Sequence, residues 1–208
     1  MKANSIKKLM ACALAVSLVM APVLGVSAAT VAPSTSEPAA STAAAVTTTT
    51  TSTTVAGVKS TVGGVFTAKS VGGVAVSTAT SSLAAGYGLA SNEKPYAKVS
   101  DMDPKKSYAA KAVIDLAAAS QGAEVGPMLN IELGKMTGGK YSLLSTEGDA
   151  IRLSVAVPAK FAQANKTFAV VRVRAGGACT ILQDVDDNPN TVTFDTTGGA
   201  GAYAIIKY

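Results

Sequence analysis

The residues best placed to do chemistry lie near the end of the chain, in the run DVDDNPN at 184–190. Asp184, Asp186, Asn188 and Asn190 alternate there, and oxygen-bearing side chains at alternate positions are how a calcium loop opens. An EF-hand loop counted from Asp184 needs Gly at its sixth place and Glu at its twelfth, but those places hold Pro189 and Asp195. Proline cannot take the positive φ that the sharp turn demands. A weak calcium site on Asp184, Asp186, Asn188 and Asn190 therefore stands as the minor reading. The major one is a chain of Asx-type turns, in which Asp and Asn side chains bond nearby backbone ahead of Pro189.

Other constellations are thinner. Asp101, Asp103, Glu147 and Asp149 are carboxylates that could serve acid–base hydrolysis, but that chemistry needs two of them at a fixed separation across a sugar. Capping and solvated loops account for all four equally well. Ser100 and Lys98 lack the motif context of a serine acylase. The sequence has no His and no Trp, which removes the imidazole base, the His-ligated metal and the Trp-lined sugar platform. Cys179 thus has no imidazole to activate it, and its strand-like context reads as a buried small hydrophobe. Arg152, Arg172 and Arg174 form a basic stripe only if their strands are neighbours, and a solvated face is the plainer expectation. Tyr87, Tyr96, Tyr141 and Tyr203 remain as a candidate carbohydrate platform, which would require two adjacent, coplanar, exposed rings. The expectation is a protein that is not an enzyme.

The elements that must position these residues begin after a leader. Lys2, Lys7 and Lys8 precede an apolar run from Leu9 to Met20 that contains Cys12, and small residues follow at Ser27, Ala28 and Ala29. This is the pattern of a secretory signal peptide over 1–29. Three of the 18 basic residues lie in it, leaving 15 against 13 acidic ones, a net of +2 that calls for neither nucleic acid nor an anionic membrane. With Cys179 alone after cleavage, no disulfide within the chain can form. Residues 30–54 reduce to Ala, Thr, Ser, Pro and Val, with Glu37 the only charged residue, and read as a disordered tether. Residues 55–81 are Val- and Gly-rich, with KSTVGGVF echoed by KSVGGVAV, and read as an extension with short strands. The Gly pairs lack the Lys-Ser/Thr ending of a phosphate loop.

The domain proper is expected over 82–208. Asp103 and Pro104 are a cap and first-turn pair, followed by an Ala-rich apolar stripe and Gly122, which predicts a helix over 104–121. Ser107 is an alternative cap one turn later. Lys111 and Asp115, four apart, are placed to pair on its exposed side. Short apolar-alternating runs at 95–99, 127–133, 141–144, 151–157, 167–173, 180–183, 191–194 and 203–206 predict strands. Within them Ile151, Leu153, Val155 and Val157 share one face, Ala169, Val171 and Val173 another, and Phe161 is a plug from its loop. The fold class is mostly β with one helix: an Ig-like antiparallel β-sandwich whose helix covers one face or end.

The run FAVVRVRAGGACTILQDVDDNPNTVTFDTTGGAGAYAII at 168–206 resembles a module of secreted and cell-surface proteins of Gram-positive anaerobic bacteria. The likeness rests on Val170 to Val173, Asp184 to Thr191, Thr193-Phe194 and Tyr203-Ala204. More broadly, 82–208 is similar to small exported proteins of uncharacterised function from such organisms. The resemblance implies the closing half of a β-sandwich and carries over no catalytic residue. The function expected is a secreted or cell-surface, non-catalytic binding or structural module. Its partner would be an extracellular protein or glycan, without nucleic acid and without membrane insertion once the signal is removed. A carbohydrate-binding module, a self-assembling subunit that adds its 55–79 strand to a neighbour's edge, and a carboxylate-based hydrolase are the alternatives.

Overall fold

The computed structural model describes residues 51–163 and 165–208. The stretch 1–29 expected to be a signal peptide, and most of the stretch 30–54 expected to be a tether, lie outside the described residues. Twelve strands and two helices follow in order. They are β1 (Thr54–Val55), β2 (Val58–Lys59), β3 (Gly63–Phe66), β4 (Val74–Val76), α1 (Thr80–Gly86), β5 (Glu93–Asp101), α2 (Tyr108–Ser120), β6 (Glu124–Thr137), β7 (Lys140–Leu143), β8 (Ile151–Ala156), β9 (Phe168–Val173), β10 (Cys179–Gln183), β11 (Thr191–Thr196) and β12 (Gly199–Lys207).

Two sheets make the sandwich. The larger has seven strands in the order β10-β9-β12-β6-β5-β3, with β7 also paired to β6; the smaller has the order β11-β8-β4. Ile151, Leu153 and Val155 of β8 meet Val170, Tyr203, Ile205, Leu129 and Ile131 of the larger sheet in one continuous core. The period-two alternation of β8 sends Arg152 outward, as the sequence predicts. The far side of the larger sheet packs Ala169, Val171, Val173, Ala204 and Ile206 against Ile114 and Ala118 of α2. Small residues on both partners let the helix lie close to the strands. β9 and β12 are therefore covered on both faces, which is why they read as near-continuous apolar runs. Phe161 closes one end of the core, its ring resting where a side chain on Gly126 would otherwise stand.

Four expectations change. First, 55–81 is no loose extension, and the domain boundary does not fall at 82. β3 joins the larger sheet, β4 joins the smaller one, and Val55, Val62, Phe66, Val71, Val74 and Val76 are buried. The tether likewise ends earlier than 54, because the Thr51 amide donates to the Phe66 carbonyl at 2.7 Å and its hydroxyl to the Ala68 carbonyl. Second, the helix spans Tyr108–Ser120 and not 104–121. The Asp103 carboxylate accepts from the Lys105 amide at 2.9 Å in an Asx turn, so Asp103-Pro104 leads into the helix and Ser107 stands at its start. Third, there is a second helix, α1, whose Leu83 enters the core. Fourth, β3 and β5 run parallel while every other pair is antiparallel. The chain makes that parallel return by way of β4 and α1, a crossover long enough to reverse direction twice.

Candidate functional site

The Asp-rich turn sits between β10 and β11. Asp184 Oδ1 accepts the Thr193 amide at 2.9 Å and the Asp186 amide at 3.2 Å; Asp186 Oδ1 accepts the Asn188 amide at 2.8 Å; Asn188 Oδ1 accepts the Asn190 amide at 3.0 Å. Three Asx turns thus follow one another, each fixing the backbone two residues on. Burial raises the Asp184 carboxyl, partly offset by the Thr193 and Asp186 amides. Among the described residues no three acidic, Cys or His side chains converge on one point that could hold a metal. Oδ1 of Asp184, Asp186 and Asn188 each accepts at least one backbone amide of the turn or of β11, and Asp186 Oδ2 accepts the Thr191 hydroxyl at 3.2 Å.

Of the other candidate carboxylates, Asp101 is also engaged locally. Asp101 gathers the Lys69 amide at 2.8 Å, the Ser70 amide at 3.0 Å and the Ser70 hydroxyl at 2.6 Å, tying the end of β5 to the 69–70 loop. Burial pushes its carboxyl up, but the Ser70 and Lys69 donors outweigh that and hold it below its usual value. Asp149 and Glu147 belong to the separate loop between β7 and β8. There the Asp149 carbonyl takes the Tyr87 hydroxyl at 2.7 Å, and the Glu147 amide bonds Ser145 Oγ at 3.1 Å.

The three arginines divide between the sheets. Arg152 of β8 forms a two-bond pair with Asp195 of β11 at 2.9 and 2.8 Å, which raises the guanidinium and lowers the carboxyl. The pair lines an open recess of 270 Å³ with Ser77, Thr78 and Ala150. Arg172 and Arg174 lie together at the end of β9, on the side that faces the smaller sheet. Arg172 donates from Nη1 to Thr196 Oγ1 at 2.9 Å and from Nη2 to Thr180 Oγ1 at 3.3 Å; its buried Nε meets no partner among the described residues. Arg174 donates to the carbonyls of Gly198 and Thr197 at 2.9 and 3.1 Å and to Thr197 Oγ1 at 2.7 Å. Neither guanidinium lies within ion-pair distance of a carboxylate among the described residues. Burial, and then the neighbouring charge of Arg174, hold the Arg172 guanidinium below its ordinary range. Periodicity alone does not reveal this cluster, because Thr180 is returned to Arg172 by the 174–178 turn and Thr196 comes from β11, beyond the Asp-rich turn.

The tyrosines separate in the same way. Tyr203 is buried at 2% exposure, with its hydroxyl 3.0 Å from Thr196 Oγ1, and Tyr87 bridges Asp149 and the Gly198 amide. Burial, with a smaller push from Asp149, raises the Tyr87 phenol against the pull of the Gly198 amide. Tyr96 and Tyr141 are neighbours on the part of the larger sheet that α2 leaves uncovered. Their rings meet edge to face, 6.0 Å apart at 64°. Lys98 Nζ stands 3.7 Å over the Tyr141 ring and 3.7 Å from Glu132. The same ring lies where a side chain on Gly134 would stand, so glycine is what admits it. Burial and the nearby Glu132 charge push the Tyr141 phenol well up, and among the described residues its buried oxygen has no hydrogen-bond partner.

Cys179 corrects its expectation. It is exposed, because β10 is an edge strand and Cys179 lies at its outer end. Crowding of the sulfur by its surroundings still pushes the thiol up. The 55–79 strands are built into this chain's own sheets: β1 pairs β2, β3 pairs β5 and β4 pairs β8, with β3 and β4 at the edges of the two larger sheets. Comparison with protein-family models, with curated proteins and with solved structures returns no match.

Proposed function

We propose that the protein is a non-catalytic binding or structural module that works outside the cell or at its surface, presenting a rigid β-sandwich to an extracellular protein or glycan. One observation carries this reading. Several of the polar side chains that could do chemistry bond the chain's own backbone: Asp101 the 69–70 loop, Asp184 and Asp186 their turn, and Arg174, with three of its five N–H groups, the 197–198 corner. Such groups hold loops in place at the ends of the sandwich, which is how a scaffold keeps a recognition surface in one shape. The leader pattern at 1–29 and the resemblance of 168–206 support the address. The carbohydrate alternative asks for two coplanar exposed tyrosines, and the 64° between Tyr96 and Tyr141 offers no flat pair.

Co-sedimentation of the purified chain with isolated cell walls, followed by assay of the supernatant for released sugars and peptides, tests the proposal. Saturable retention without release is the expected result. Release of soluble products at a rate that scales with protein concentration would overturn it in favour of a hydrolase.

A further inference from the structure

We propose that Arg172 and Arg174, with the hydroxyl of Thr180, form a binding site for a small oxyanion: the phosphate, sulfate or carboxylate group of a ligand. This rests on the binding-module reading and gives its ligand a chemical class. The first ground is charge. Where arginine serves structure alone in this molecule, as Arg152 does, it is given a carboxylate in a two-bond pair. Arg172 and Arg174 are half-buried and adjacent, and among the described residues neither has a counter-ion. A partly desolvated cation without a partner is costly, and two together more so. An anion relieves both.

The second ground is the donors left over. A guanidinium has five N–H groups in a fixed fork. Arg172 spends one hydrogen from each terminal nitrogen on Thr196 and Thr180, so each keeps another. Arg174 spends three and is thereby locked in place, keeping one at Nη1 and one at Nε. Thr180 Oγ1 accepts from Arg172 and retains its own hydrogen to donate. The groups that carry these donors are fixed in place by strand pairing and by the bonds they already make. The third ground is access. Residues 175–180, the turn after Arg174 and the start of β10, are all exposed, and Thr180 lies directly opposite Arg172 in the pairing. Charge-assisted bonds to a pre-positioned fork are the stronger class of hydrogen bond, and they recognise phosphate and carboxylate alike.

The test is the thermal unfolding midpoint of the purified chain, titrated with sodium phosphate, sulfate or acetate at constant ionic strength against chloride. Binding to the native state raises the midpoint, and once the site fills each further tenfold of ligand adds a constant increment to stability. We expect at least one oxyanion to do so. Arg172→Lys, which keeps the charge and loses the fork, should weaken the apparent affinity about tenfold or more. Thr180→Val, on an exposed edge strand that suits valine, should weaken it several-fold, and Arg152→Gln should leave the response unchanged. The general salting effect of phosphate and sulfate is common to all variants and cancels in the comparison. A stronger response to phosphate and sulfate than to acetate assigns a tetrahedral group, and the reverse a carboxylate. No rise beyond chloride, or an unchanged rise in both Arg172→Lys and Thr180→Val, would overturn the site. Should Arg172→Lys not fold, Thr180→Val decides together with amide shifts of Arg174 and Thr180 in the unaltered protein, which must move on titration. Failure here leaves wall retention untouched, so the two proposals are judged apart.

Discussion

Phe66→Ala tests whether the Val/Gly-rich segment is core or appendage. Phe66 ends β3, is 2% exposed, and belongs to the main core cluster beside Ala97 and Val99 of β5. A phenylalanine side chain buries about 150–250 Å², worth about 4–6 kcal/mol at about 25 cal/mol per Å² as an upper bound. Truncations of this kind cost about 3–5 kcal/mol once the cavity is included, so about 4 kcal/mol is expected here. That is a large part of the roughly 5–15 kcal/mol that holds a domain together. In urea, with m about 2 kcal/mol per molar, the midpoint should fall by about 2 M while m stays unchanged. Val65→Ala is the matched control: it sits one residue away on the opposite face, 46% exposed, and should shift stability by about 0.5 kcal/mol or less. If Phe66→Ala moves the midpoint no further than Val65→Ala does, then β3 is not part of the core and the reasoning fails.

Three further outcomes follow from the polar contacts. Asp101 has its carboxyl lowered by the Ser70 and Lys69 donors, so its contribution to stability is present above the unfolded value of about 3.9 and lost as pH falls through the folded value. The stability gap between wild type and Asp101→Asn should close on acidification across that window in urea titrations; a gap independent of pH contradicts it. Tyr87→Phe removes a donor to the Asp149 carbonyl and an acceptor for the Gly198 amide, and should cost about 1–3 kcal/mol by chemical denaturation. Millimolar calcium should leave the thermal midpoint unmoved, because Oδ1 of each of Asp184, Asp186 and Asn188 already receives an amide hydrogen. A saturable rise would restore the metal reading.

Much of the architecture is legible in residue order. The alternation of β8 and the two-sided apolar runs of β9 and β12 identify the centre of the sandwich, because periodicity reports which faces are buried. The segment 55–81 defeats that reading for a physical reason. Its strands are two to four residues long, too short to display a period, with Gly63-Gly64 opening β3 and Gly72-Gly73 preceding β4. Gly64 is nonetheless required by packing, since a Cβ there would lie 2.2 Å from the Ala97 carbonyl oxygen. A glycine that admits a neighbouring strand and one that merely loosens a linker look the same in sequence. Asp103-Pro104 misplaces the helix start because the same side chain serves an Asx turn as readily as a cap. The Asp-rich turn is legible as a turn from the alternation of Asp and Asn before Pro189. The arginine pair is not, because its partners Thr180 and Thr196 lie 8 and 24 residues beyond Arg172 and meet it only through strand pairing and sheet stacking.

The place of β12 governs how the domain comes together. The last strand in the chain lies in the middle of the larger sheet, paired to β9 on one side and β6 on the other. Without Gly199–Lys207 that sheet divides into β10 with β9 and β6 with its other neighbours, and Tyr203, Ile205, Ala204 and Ile206 leave both cores at once. A chain emerging from its N-terminus can therefore form hairpins and the α2 turn early, but it closes its sandwich only when its final strand inserts. A polypeptide that stops short of Gly199 lacks the strand that joins the two halves of the larger sheet, so closure of the sandwich reports that synthesis has passed β12.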